Sequence, residues 1–306
     1  MFGFALAFLG YLFLACLLAS LIYVLGTYLL LSYDRKIGRA GQVSPSDDPP
    51  ISLPRGLSCF GHLLLETGAT LLFVLLFPFG FFSRSPWVYR KARRRPILFV
   101  HGFNHNQSAW VFLRLRLRLA GFGPLYSVDL SPTGRPIEVM AQEVERLAGQ
   151  IEQETRVHNL VLVGHSMGGI VASYYTEELA PFGKVSHLIT LGTPFYGTRS
   201  ACLQSCPSAK AMRPGSELLA ELRERIGANT YTRYCQVAAA YDNLIYPYQS
   251  ALLKGGDQLL LTQAGHLGLL FSSSAAKQII YWLKEAAPLE KPKSPPKAKR
   301  RVAYHP

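Results

Sequence analysis

The chain has 306 residues, 49% of them hydrophobic, and 32 lysines and arginines against 19 acidic residues give it a net charge of +13. That composition excludes a disordered chain and leaves some 210 residues beyond an apolar N-terminal region, enough for one large folded core. The charge would suit nucleic acid, but the basic residues gather beside an apolar segment and in the tail at 291–301 without a nucleic-acid-binding motif, so no nucleic acid is expected and anionic lipid is the simpler partner.

Residues 1–33 carry no charged side chain, and the run 2–31 exceeds the ~20 residues a helix needs to cross hydrocarbon. Lacking a cationic start and a short apolar core, it reads as a membrane anchor rather than a cleaved leader. A second apolar segment, 57–83, is interrupted by His62 and Glu66, and its uncharged part, 67–83, reaches only about 25 Å as a helix. The expectation for residues 1–90 is a two-helix transmembrane hairpin, with an interfacial second segment bent at Pro78 as the alternative and Glu66 as an interface or packing residue. Arg84, Arg90, Lys91, Arg93, Arg94 and Arg95 follow the second segment, and basic residues favour the inside. This places the N-terminus and the chain beyond residue 90 in the cytoplasm, at the inner membrane, and the 41–50 loop outside.

Between residues 91 and 287 strand-like runs end in glycine turns. The run at 96–100 leads into His101-Gly102-Phe103, where a glycine at a strand end can turn backbone amides toward a reacting carbonyl; Phe103 is the first candidate oxyanion donor. Arg114, Arg116 and Arg118 alternate with leucines like a strand. The run 125–128 ends at Asp129, which reads as a turn residue.

The most specific signal is Gly164-His165-Ser166-Met167-Gly168, preceded by a β-branched run and followed by a helical pattern. Small residues two before and two after a serine allow the sharp strand-to-helix reversal that presents its hydroxyl as a nucleophile. Met167, opening the helix with an unpaired N–H at the positive end of the dipole, is the second oxyanion candidate.

A serine hydroxyl needs a base and an orienting acid. His266 ends the apolar run 259–264 in a glycine turn, a strand-end position that His62, His101, His105, His158 and His187 lack. Asp242 follows a strand-like run at 236–240 and precedes a proline-containing loop; its rival Asp257 sits in a hairpin-like turn and would face solvent.

Residues 96–283 resemble the small bacterial lipases of the α/β-hydrolase superfamily, particularly the Bacillus-type minimal lipases. The likeness rests on Val100-His101-Gly102, the 125–129 segment, the 164–169 turn, Thr190-Leu191-Gly192-Thr193-Pro194 and the stretch 265–273, in the family's order. It implies a mostly parallel central sheet with helices on both faces, Ser166 as nucleophile, Asp242 as acid, His266 as base, and the Phe103 and Met167 amides as oxyanion donors. It also places a helix over 112–119, where some arginines would snorkel.

Two features depart from the minimal lipases: the N-terminal region, and extra residues at 198–230 that form either a lid over an acyl site or surface decoration. The expected activity is cleavage of carboxylic esters, acyl lipids first, through an acyl-enzyme on Ser166, with phospholipase, thioesterase and acyltransferase chemistry sharing the same residues. A hydrolase fold kept as a non-catalytic membrane-bound interaction module is the reading of a different class. No cofactor, metal or obligatory protein partner is expected; Cys202 and Cys206 could pair in an oxidising compartment. The 288–306 tail reads as basic and disordered.

Overall fold

The computed structural model describes residues 2–36, 57–81 and 95–285. The 41–50 loop, the basic residues 84–94 behind the orientation expectation, and the 288–306 tail lie outside the described residues.

Two apolar helices come first: α1, Phe2–Lys36, and α2, Leu57–Leu76, which tightens into a 3₁₀ turn at Phe77–Phe81 across Pro78. Both are long and apolar enough to cross a membrane. Their side chains are distributed unlike those of a soluble amphipathic helix. Along α1, Phe8, Leu12, Leu18, Ile22 and Leu29 are exposed; along α2, Phe60, Leu64, Leu65 and Leu72 are exposed while Glu66, Thr67 and Thr70 are buried. Two of their hydroxyls bond back along the helix, Ser20 Oγ donating to Cys16 O and Thr70 Oγ1 to Glu66 O, each at 2.8 Å.

The remainder alternates strands and helices: β1 Ile97–Val100, α3 Val111–Leu119, β2 Leu125–Val128, α4 Ile137–Thr155, β3 Leu160–His165, α5 Met167–Tyr174 and β4 Val185–Leu191. There follow α6 Pro207–Ala211, α7 Glu217–Ala228, β5 Arg233–Ala239, β6 Asp257–Leu261, α8 Gly268–Phe271 and α9 Ser273–Glu285. The strands form one sheet in the order β2-β1-β3-β4-β5-β6, every neighbouring pair parallel. Parallel neighbours require crossovers, and the helices that supply them cover both faces.

Strand periodicity divides the interior into two cores. Leu98 and Val100 of β1 and Leu160 and Leu162 of β3 join residues of α4, α5 and α7, whereas Ile97, Phe99, Val161 and Val163 join those of α3, α8 and α9. Each such fully buried side chain contributes about 1.5–3 kcal/mol.

The alternating arginines fold as α3 because Leu113 and Leu117, one helical turn apart, both reach the core. Arg114 is carried inward with them, its guanidinium 3.5 Å from Ser127 Oγ, and burial pulls it down to about 10. In the 198–230 segment, Leu219, Leu222 and Ile226 of α7 are buried in the same core as Met167 and Ile170, and Arg223 Nη1 donates to Phe195 O at 2.7 Å. Lifting α7 as a lid would expose that apolar face. Cys202 and Cys206 are free thiols.

Since all strands run the same way, their carboxyl ends share one edge. The order reverses at β1, between β2 and β3, and that switch point leaves a crevice beyond the carboxyl ends. The loops leaving β1, β3, β5 and β6 there carry Phe103, Ser166, Asp242 and His266.

Candidate active site

Ser166 joins β3 directly to α5 with φ 55° and ψ −127°, a conformation strained for a residue with a side chain. Close packing enforces it. A Cβ at Gly168 would lie 2.1 Å from Val100 O, and one at Gly164 would lie 2.5 Å from Gly169 Cα, so the turn closes only because both positions lack side chains. The Ser166 N–H donates to Leu191 O at 2.9 Å, tying the turn to β4. Ser166 stays partly exposed while Met167, the first residue of α5, is buried. An N–H in the first helical turn has no partner within its helix, so the Met167 amide is free of helical bonding. The loop after β1 passes beside the serine: a Cβ at Gly102 would sit 3.1 Å from Ser166 Cβ, which brings Phe103 to the same rim.

Asp242 and His266 meet below this rim. His266 Nδ1 lies 2.9 Å from Asp242 Oδ2, and the other carboxylate oxygen accepts the N–H groups of Leu244 at 2.9 Å and Ile245 at 2.7 Å. Both residues are buried. Burial pulls the His266 imidazole down, but the Asp242 charge and hydrogen bond, aided by Glu66, outweigh it and leave its pKa above the ordinary 6.5. With Nδ1 committed to the carboxylate, Nε2 is the ring nitrogen left to exchange a proton. Asp257 lies elsewhere: it begins β6 at the opposite edge, paired with Arg233, and has no part in this pair.

Two neutral imidazoles border the pair. His165 Nε2 donates to His266 O at 3.1 Å, and its ring lies 4.6 Å from that of His266; His105 stacks on His165 at 5.2 Å. Burial holds both well below the ordinary histidine value. His101 Nδ1 donates to Gly102 O at 3.1 Å while Nε2 accepts from Leu130 N at 3.0 Å, and His158 bonds Glu152. Burial lowers His187, on β4, to about 4. Asp129 accepts the Ser131 N–H at 3.0 Å, closing a turn.

Sequence reasoning did not single out Asn243 or the partners of Glu66. Asn243 Oδ1 accepts the His266 N–H at 3.1 Å, and its Nδ2 donates to Thr27 Oγ1 of α1 at 2.8 Å. Tyr28 Oη donates to Tyr241 O at 3.1 Å, next to Asp242. From α2, His62 Nε2 donates to Thr262 O at 2.7 Å, Glu66 accepts the Leu267 and Gly268 N–H groups at 2.7 and 3.0 Å, Phe73 lies 4.5 Å from the His105 ring, and Phe77 O accepts from Asn106. A lone asparagine in a loop carries no pattern, and no sequence spacing links residue 66 to 267. Among the described residues no group of three or more His, Cys, Asp or Glu could hold a metal ion.

Known structures share this architecture. A mature lipase of Bacillus licheniformis superposes with TM-score 0.57 at 18% identity, covering 64% of this chain and 95% of that one. Lipase B of Aspergillus fumigatus gives TM-score 0.58 at 17% identity over 65% of this chain and 55% of its own, and a Listeria innocua protein gives 0.50 at 14% over 63% and 95%. At such identities the likeness is one of fold. The sequence model of the alpha/beta hydrolase family matches residues 97–263, which span all six strands, the serine turn and Asp242, and the chain therefore belongs to the alpha/beta hydrolase family.

Proposed function

We propose that the protein is a membrane-anchored serine hydrolase that cleaves carboxylic esters, acyl lipids in particular, through an acyl-enzyme on Ser166. The observation that carries this reading is the buried Asp242–His266 pair at the same sheet edge as the strained Ser166 turn. His266 Nε2 takes the Ser166 proton as Oγ attacks the ester carbonyl, and the Phe103 and Met167 amides hold the oxyanion. Asp242 stabilises the imidazolium, which then protonates the departing alcohol; water, activated by the same imidazole, releases the acid and restores the serine.

The preference for lipid esters draws on the lipolytic relatives and on the helices. Apolar side chains face outward along α1 and α2 while α2 turns its polar residues inward, the inverse of what water selects. In this reading α1 anchors the chain. Because α2 meets the catalytic loops at residues 62, 66, 73 and 77, it lies along the domain at the interface rather than crossing alone, which favours the interfacial alternative over the hairpin. Ester bonds at the membrane surface then lie near the rim that carries Ser166. The basic cluster at 84–95 favours a cytoplasmic domain, and a single crossing by α1 then puts the N-terminus on the outer side, unlike the hairpin; protease accessibility in inverted and right-side-out vesicles tests this placement.

A fluorophosphonate probe on the purified full-length protein tests the chemistry. Labelling of wild type but not of Ser166→Ala is expected; an unlabelled wild type would leave a hydrolase fold used for binding alone. Lipid profiling in mixed micelles then separates lipase from phospholipase, thioesterase and acyltransferase activity.

A further inference from the structure

The loop Gly265-His266-Leu267-Gly268 is moulded around a side chain from α2. Glu66 is 1% exposed, its Oε1 accepts the Leu267 N–H at 2.7 Å and its Oε2 the Gly268 N–H at 3.0 Å. The two glycines that flank this stretch are fitted to the carboxylate. A Cβ at Gly265 would lie 2.5 Å from Glu66 Cδ, and one at Gly268 3.0 Å from Glu66 Oε2. The Leu267 and Gly268 amides enter and open α8, so without Glu66 the one would be a buried and the other a part-buried donor without a helical partner.

A carboxylate within an otherwise apolar helix is costly unless its charge is met, and here it is met by the residues immediately after His266. We propose that Glu66 is a positioning residue for the catalytic base: by gripping the Leu267 and Gly268 amides it sets the height and direction of the His266 imidazole, making α2 part of the active site's construction as well as of the anchor. This rests on the serine-hydrolase reading above and adds to it the dependence of the base on the N-terminal helices.

Asp242 on the β5 loop, Glu66 on α2, His165 at the end of β3, His105 on the β1 loop, and Tyr23 and Tyr28 on α1 are the titratable groups that face His266 or its two carboxylates. Asp242 supplies most of the negative charge and Glu66 adds to it when ionised, so losing Glu66 weakens the imidazolium as well as the loop.

Full-length Glu66→Gln in detergent micelles, assayed with soluble p-nitrophenyl acetate, separates positioning from substrate delivery. The amide presents an NH₂ to one of the two N–H donors and cannot accept both. Expected are a kcat lower by roughly 10- to 100-fold with KM little changed, slower fluorophosphonate labelling, and an acid limb of kcat/KM moved to lower pH. Thr70→Val, also buried on α2 but bonded only within its helix, is expected to keep wild-type kcat. Wild-type kcat and acid limb in folded Glu66→Gln would overturn the proposal while Ser166-dependent labelling left the hydrolase reading intact; an unlabelled wild type would sink both. If Glu66→Gln does not fold, Glu66→Asp serves: a reduced kcat with the acid limb retained supports the proposal, and an unchanged kcat refutes it.

Discussion

The turn that carries Ser166 and the loop that carries His266 leave the same edge of the same sheet, yet they are closed by different means. Around Ser166 the constraints are local: Gly164 packs on Gly169, Gly168 on Val100 O, and the serine N–H reaches Leu191 on the adjoining strand. Around His266 they are remote: the amides beyond it are held by a carboxylate 201 residues upstream, and its own N–H by Asn243, which is bonded in turn to Thr27 of α1. A locally closed turn is as rigid as the sheet beneath it. A remotely closed loop is only as well set as the docking of the helices that reach it, so what disturbs α1 and α2 reaches His266 before Ser166.

Replacing the chemistry itself should have the largest effect. Ser166→Ala is expected to lower kcat by roughly 10⁴- to 10⁶-fold on any ester, measured by steady-state hydrolysis. Asp242→Asn should cost on the order of 10⁴-fold, because the amide no longer fixes the imidazole tautomer. Asp257→Asn, at the far edge beside the partly exposed Arg233, should leave kcat unchanged and alter stability by less than about 1 kcal/mol. Activity lost in Asp257→Asn and kept in Asp242→Asn would move the acid to Asp257.

Glycine substitutions test the closure of each turn. Gly168→Ala drives a Cβ against backbone that belongs to β1 and should destabilise the protein by about 3 kcal/mol, read as a fall in Tm. Gly268→Ala comes tightly only against the end of the Glu66 side chain, at 3.0 Å, with Ala264 Cβ at an ordinary 3.5 Å, and about 1 kcal/mol is expected. Equal losses would mean that the His266 loop is as tightly built as the serine turn.

The raised His266 pKa fixes the sign of the pH dependence. The base works only when neutral, so kcat/KM should fall as pH drops through a value above the ordinary 6.5, and a pH–rate profile with its acid limb well below 6.5 would contradict the influence of Asp242 and Glu66 on the ring.

This division also explains what the sequence revealed. The serine turn and the strand-end positions of Asp242 and His266 are written in short runs, because a turn closed by its own glycines must spell them within a few residues, whereas the parallel sheet follows from the resemblance to the lipases and its strand order only from the structure. Glu66 was readable as a packing residue but not as the partner of two amides near His266, since that contact exists only after α2 docks. The amphipathic pattern at 217–228 reads as a lid or as surface decoration; the burial of Leu219, Leu222 and Ile226 comes from their contact with the α5 side of the core, which no local pattern records.

The smallest effect concerns the link from α1. The Thr27 hydroxyl donates to Val24 O and accepts from Asn243 Nδ2, whose Oδ1 holds the His266 N–H. Thr27→Val keeps the shape and removes the acceptor, leaving one amide hydrogen unpaired at a part-buried position, a loss of about 1 kcal/mol. Asn243 still reaches His266, so kcat should fall by no more than about fivefold, the equivalent of that energy. A loss as large as that from Glu66→Gln would make both helices equal partners in setting the base. No change at all would confine the remote closure to α2.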